Sequence, residues 1–151
     1  MTTIFSKIIR REIPSYILYE DKLVIAFLDI SQTTKGHTLI ATKEIYSSLE
    51  EVPFHVFTHL FGVSHKIAKL LIKTFKAQGM NILNNNGVIA GQTIFHFHVH
   101  LIPRFSNKEI EFFFVDKSNQ LQKNDYLKIQ KQILENMRLD SINFNSNNQK
   151  L

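Results

Sequence analysis

The chain has 151 residues, 44% of them hydrophobic and 21% charged, a size and balance that suit one globular domain with a substantial core. Its net charge of +5 is scattered and forms no dense basic tract, which speaks against a nucleic-acid groove and leaves a small anionic ligand compatible. There is no apolar run of about eighteen residues to span a membrane and no apolar leader in MTTIFSKIIRREIP. The lack of cysteine excludes disulfides and thiolate metal sites and fits a cytoplasmic protein.

The first third reads as short strands and turns. YILYE (16–20) and LVIAFLD (23–29) are β-branched and aromatic runs joined through Asp21 and Lys22, the pattern of a hairpin. SQTTKGH is a loop turning at Gly36, and HTLIAT (37–42) is a third strand. Ser48 and Glu51 have capping-box spacing, with Pro53 near a first helical turn. From Phe54 to Lys76 the period becomes helical, with Phe57, Leu60, Phe61, Ile67, Ala68, Leu71 and Phe75 on one stripe. His55 and His59 lie opposite, among lysines, where a solvated surface is expected.

MNILNN (80–85) is a fourth strand and NGVIAGQT (86–93) a loop with two glycines. FHFHVHLI (95–102) is a fifth strand. Further on, EIEFFFV (109–115) suggests a strand or an apolar docking segment. A helix is expected from Asp125 to about Leu139, carrying Tyr126, Ile129, Ile133 and Met137 on one stripe. The closing NFNSNNQKL is polar and expected to be disordered.

His96, His98 and His100 are spaced two apart, so on a strand they share one face while Phe95, Phe97, Val99 and Leu101 line the other. That spacing alone serves a transition metal or catalysis equally well. The surrounding residues favour phosphate chemistry. A glycine loop can bring backbone N–H groups close to an anion, Asn85, Gln92 and Thr93 add polar groups, and His37 adds a fourth imidazole. Asp29 stands apart, at a strand end, as a carboxylate suited to sugar hydroxyls. A neutral imidazole can attack phosphorus and form a phospho-histidine adduct.

GQTIFHFHVHLIPR resembles the signature of the histidine triad (HIT) superfamily, and IFSKIIRREIPSYILYEDKLVIAFLDI, KGHTLIATK and NNNGVIAGQT are similar to its Hint-like branch, from about residue 4 to 105. The resemblance implies an α+β, HIT-like fold: an antiparallel sheet of about five strands, one long central helix and a C-terminal helix. The HIT domain would be 1–105, followed by a C-terminal extension over 106–140 (a strand plus a helix packed on the domain) and a disordered tail over 141–151. It further implies a homodimer that binds an AMP-type purine nucleotide without a cofactor, metal or membrane, and cleaves bonds to the α-phosphate of phosphoramidates and adenylates. Dinucleoside polyphosphate hydrolysis, or a nucleotide-binding scaffold with incidental hydrolysis, are the alternatives.

In that likeness His98 is the nucleophile, His100 and His37 contact the phosphate or support His98, and His96 orients the array. Asp29 accepts the ribose hydroxyls, and Asn85, Gly91, Gln92 and Thr93 surround the α-phosphate. Phe5, Ile8, Ile13, Phe27 and Ile30 form the base pocket, although plain core is an equal reading for each of them. Many bacterial relatives carry a structural zinc on a Cys-x-x-Cys pair and two histidines. Thr3, Ser6 and Ile45 stand at three of those four positions, so that zinc site is not expected and His96 is free for the active site.

Overall fold

A computed structural model describes residues 2–139, and the tail over 141–151 expected to be disordered lies outside the described residues. One compact unit runs to Glu111 and a second begins at Phe112, six residues beyond the expected boundary. The first unit is α+β. Its elements are α1 (Ile4–Ile9), β1 (Ile17–Glu20), β2 (Val24–Leu28), β3 (Thr38–Thr42), α2 (Phe54–Phe75), β4 (Gly79–Leu83) and β5 (His98–Arg104). The five strands form one antiparallel sheet in the order β1-β2-β3-β5-β4, with α2 lying in the connection between β3 and β4.

Strand β2 is a continuous apolar run because both its faces are covered. On one face Val24, Ala26, Ile40, Val99 and Leu101 meet Leu60, Val63, Ile67, Ala68 and Leu71 of α2. On the other, Ile25, Phe27, Leu39 and Ala41 meet Phe5 and Ile8 of α1. The helical stripe read from the sequence is therefore the buried face of α2, with Phe57, Phe61 and Phe75 at its margin.

Helix α1 was not among the expected elements. Its six residues are too few to show a period, and it is set by a capping box. Thr3 Oγ1 accepts the Ser6 N–H, while Ser6 Oγ meets the Thr3 N–H. The box expected at Ser48 does not form. The Ser48 side chain caps nothing, and α2 starts after Pro53, although Glu51 accepts the Ser47 N–H.

The last strand is shifted from the expected 95–102 to His98–Arg104. Phe97 donates its N–H to Tyr46 O and His96 donates to Ile94 O, which takes this stretch out of the ladder. Phe95, expected in the apolar row, is exposed instead.

Residues 109–115 form no strand. The Phe112–Phe113–Phe114 run has no period-2 alternation to present one apolar face to a sheet. Helix α3 (Lys123–Leu139) begins two residues before Asp125, whose carboxylate reaches back to the Gln122 N–H. Among the described residues no helix is long and apolar enough to cross a membrane.

Candidate active site

Pairing of β3 with β5 sets Ala41 opposite His98 and Leu39 opposite His100. Both histidines point to the α1 side of the sheet, since Val99 and Leu101 between and beyond them lie in the α2 core. Asp29 follows β2 and His37 precedes β3. The Asp29 N–H donates to His37 O at 3.0 Å, which joins their two chains just beyond the last pair of the β2–β3 ladder.

On this side of the sheet lies a cavity of about 370 Å³, which His37 does not line. His98, His100, Asp29 and Thr93 line it, as do Phe5, Ile8, Ile13, Phe27 and Ile30. Phe5, Ile8 and Phe27 are also buried in the core between α1 and the sheet, so for them wall and core are one role. Ile30 is 93% exposed, at the rim.

The tautomer of His98 is set by the backbone two residues before it. Nδ1 lies 2.7 Å from the His96 carbonyl oxygen, so Nδ1 carries the proton and donates it there, leaving Nε2 with a free lone pair. The Phe5 ring stands edge-on to the imidazole at 5.0 Å between centroids. Asn84, which the sequence reading passed over, donates to His98 O at 2.7 Å. Burial lowers the pKa of His98 below that of a free imidazole, outweighing the His96 carbonyl and the Asp29 charge.

His37 Nε2 faces His100 Nδ1 at 3.0 Å and Asp29 Oδ2 at 3.6 Å. His37 Nδ1 is 3.3 Å from Ser31 O, which wants a proton on it, and 3.4 Å from Thr33 N–H, which wants a lone pair. The ring therefore has a partner in either tautomer. Burial lowers the His37 pKa against the opposing Asp29 charge. His100 is pushed down to about 4, first by burial and then by His98 and His37.

His96 departs from the expected arrangement. It is fully buried outside the cavity, with Nδ1 2.8 Å from Thr3 Oγ1 and Nε2 2.7 Å from Thr42 O. Donation from Nε2–H to the carbonyl leaves Nδ1 to accept from the Thr3 hydroxyl. The side chain is thus not free for the active site, and its link to His98 runs through its backbone carbonyl. Thr3 and Ser6 form a hydrogen-bonded helix cap where the resemblance puts zinc ligands in relatives, and neither hydroxyl nor Ile45 is a zinc donor of the Cys/His type.

Gln92 also departs from expectation. Its side-chain oxygen accepts the Gly87 N–H, and its amide nitrogen donates to Ser47 O and Ile94 O. That amide closes the glycine loop on itself and is not directed at a ligand. Asn85 reaches across the same loop to Gly91 O at 3.4 Å, and neither it nor Gly91 lines the cavity. His59, expected on a solvated face, meets Asp21 Oδ2 at 2.6 Å.

A family model described as the HIT domain matches residues 10–107. Protein hit of Bacillus subtilis is 48% identical over 102 residues, covering 68% of this chain and 70% of that protein. Adenosine 5'-monophosphoramidase HNT1 of Saccharomyces cerevisiae is 45% identical over 105 residues, covering 70% of this chain and 64% of that one. The crystal structure of a HIT family protein from Bacillus anthracis superposes with a TM-score of 0.84 at 40% identity, covering 89% of this chain and 96% of that one. With the matched domain taking in the β-sheet, both cavity-lining histidines and Asp29, the chain belongs to the HIT domain family.

Proposed function

We propose that this protein is a nucleotide hydrolase that binds an AMP-type purine nucleotide and cleaves the bond between the α-phosphate and its leaving group. The observation that carries this reading is the fixed tautomer of His98: a neutral, buried ring, lining an apolar cavity, with Nε2 unprotonated. The likeness to a monophosphoramidase supports the same substrate class.

In the first step His98 Nε2 attacks the α-phosphorus, an N–P bond forms, and the bond to the leaving group breaks as the departing amine takes up a proton from solvent, which the attacking water gives back in the second step. The positive charge that develops on the ring is stabilised by the Nδ1–H bond to the His96 carbonyl. Water then attacks the phosphorus, the N–P bond breaks, and AMP leaves with His98 restored. Substrate and water balance as AMP and free amine. The base lies against Phe5, Ile8 and Phe27, the ribose hydroxyls meet Asp29, and His100, held by His37, contacts the phosphoryl oxygens.

The decisive experiment is rapid quenching with adenosine phosphoramidate labelled in the AMP portion. A nucleotidyl adduct should accumulate on the parent and vanish in His98→Ala, with turnover down by at least about a thousandfold. Equal turnover in the variant overturns the assignment. Running diadenosine tetraphosphate and an aminoacyl-adenylate beside it ranks the substrates.

The reading includes a cytoplasmic homodimer. Among the described residues strand β4 ends the sheet without a partner on its outer side, and it carries Ile82, 48% exposed; an edge-to-edge partner would cover such an edge. Light scattering at twice the 17.6 kDa chain mass is the expected result, and the single-chain mass would remove the dimer from the proposal.

A further inference from the structure

We propose that Asp29, His37 and His100 form a binding site for a divalent transition-metal ion such as zinc, and that an ion held there closes the cavity to nucleotide. Among the described residues these three make the one group of histidine and carboxylate donors close enough to share an ion, with their donor atoms all within 4.8 Å of one another.

The distances suit a small ion. Zinc binds imidazole nitrogen and carboxylate oxygen at about 2.0–2.2 Å in a tetrahedron, so its donors lie roughly 3.3–3.6 Å apart. Here His37 Nε2 is 3.0 Å from His100 Nδ1 and 3.6 Å from Asp29 Oδ2. Adjustments of a few tenths of an ångström would bring these two edges of the site to tetrahedral spacing.

The donor set also selects. Two imidazoles and one carboxylate suit zinc and its neighbours, whereas calcium and magnesium want several oxygens. The carboxylate is held in place: Asp29 Oδ1 accepts the Ser31 N–H at 2.8 Å, and Oδ2 is left toward His37. Ser31 O stands at 3.3 Å from His37 Nδ1, where it can accept that nitrogen's proton and leave Nε2 with the lone pair an ion needs. His100 needs its proton on Nε2, away from His37, to present Nδ1. Both rings stay neutral and no net proton is released.

Closure follows from position and rests on the nucleotide reading above. Asp29 and His100 both line the cavity, so an ion would occupy the carboxylate assigned to ribose and the imidazole assigned to phosphate. The bound metal thus acts as an inhibitor.

The test is zinc binding to the full chain, measured by competition with a chromogenic chelator. One zinc per chain is expected, bound at least about tenfold more weakly by Asp29→Asn and by His37→Ala. His59→Ala is the control for a rival site at the His59–Asp21 contact, and it should bind as the parent does. Asp29→Asn keeps the side-chain shape, so it decides the matter should His37→Ala fold poorly by circular dichroism. A parent that binds no zinc, or variants at Asp29 and His37 that bind it undiminished, overturns the site. Saturating AMP should weaken zinc binding at least about tenfold, the same loss as removing a ligand. If AMP binds and zinc affinity is unmoved, the closure is wrong; if AMP does not bind the parent at all, it is the nucleotide reading that fails.

Discussion

Thr3 Oγ1 lies 2.8 Å from His96 Nδ1, which ties the N-cap of α1 to the residue whose carbonyl fixes His98. One hydroxyl thus serves two purposes, since it also accepts the Ser6 N–H. Thr3→Val keeps the shape and removes both bonds, leaving a fully buried imidazole nitrogen without a partner. The loss of a cap and of a buried hydrogen bond should lower stability by about 2–3 kcal/mol. Urea denaturation measures it. Thr3→Ser restores the hydroxyl and should recover most of the loss together with phosphoramidate turnover, which a purely steric effect of residue 3 would not do.

The four clustered histidines make stability depend on pH in a defined direction. His37, His96 and His98 lie below the ordinary imidazole value and His100 is pushed down to about 4, burial being the first cause in each. The unfolded chain therefore takes up protons near about pH 6.5 while the folded one still resists them. Between about 4 and 6.5 the unfolded state binds more protons, so stability is full above that window and falls as pH drops through it. Thermal melts between about pH 7 and 5 should show the decline. His100→Gln removes one of the contributing groups, and its melting temperature should fall less steeply over the same range. Parallel slopes for parent and variant would rule His100 out as a contributor.

Gly36 places His37 and cannot be replaced cheaply. Its φ of +89° is a conformation L side chains rarely adopt, and a Cβ there would sit 2.6 Å from Phe75 Cε2. Gly36→Ala combines backbone strain with a clash against α2, and should cost about 1–3 kcal/mol or more by denaturant titration. The same variant should lower turnover beyond what partial unfolding explains, because His37 follows directly.

Much of the domain was legible because its signals are local. The β-branched and aromatic content of LVIAFLD, the short run HTLIAT bounded by a glycine turn, and the three-and-four spacing after Phe54 mark the strands and the central helix directly. Helix α1 was hidden by its length, and its Thr3-x-x-Ser6 cap lacks the Glu or Gln of the usual box. His96 fell off the strand because Phe97 N–H is taken by Tyr46 O, a contact that no spacing within FHFHVH announces. The bonds that assign tasks to the histidines are distant in sequence. Thr3 is 93 residues from His96, and His37 is 63 from His100. Gln92 looked like a phosphate ligand because its loop partners, Ser47 and Gly87, could not be read from composition.

Asp21 fastens the β1–β2 hairpin to α2. Its Oδ1 accepts the N–H groups of Leu23 and Val24 at 2.8 and 2.9 Å, and its Oδ2 accepts the Tyr19 hydroxyl at 2.8 Å and meets His59 Nε2 at 2.6 Å. Burial pushes the carboxyl pKa up, but His59, the two backbone N–H groups and Tyr19 together hold it well below the usual carboxylate range. Asp21→Asn keeps the turn bonds and turns an NH₂ toward Tyr19 and His59, so only the links at Oδ2 are lost. Stability should fall by about 1–3 kcal/mol at neutral pH, the range for hydrogen bonds to a charged group. A depressed carboxyl contributes above its unfolded pKa and loses that contribution as pH falls through the folded value. The gap between parent and Asp21→Asn in urea should therefore be full near neutrality and close below about pH 4. Adding His59→Ala to each chain isolates the pair, and a coupling energy near zero would show that the 2.6 Å contact holds nothing together.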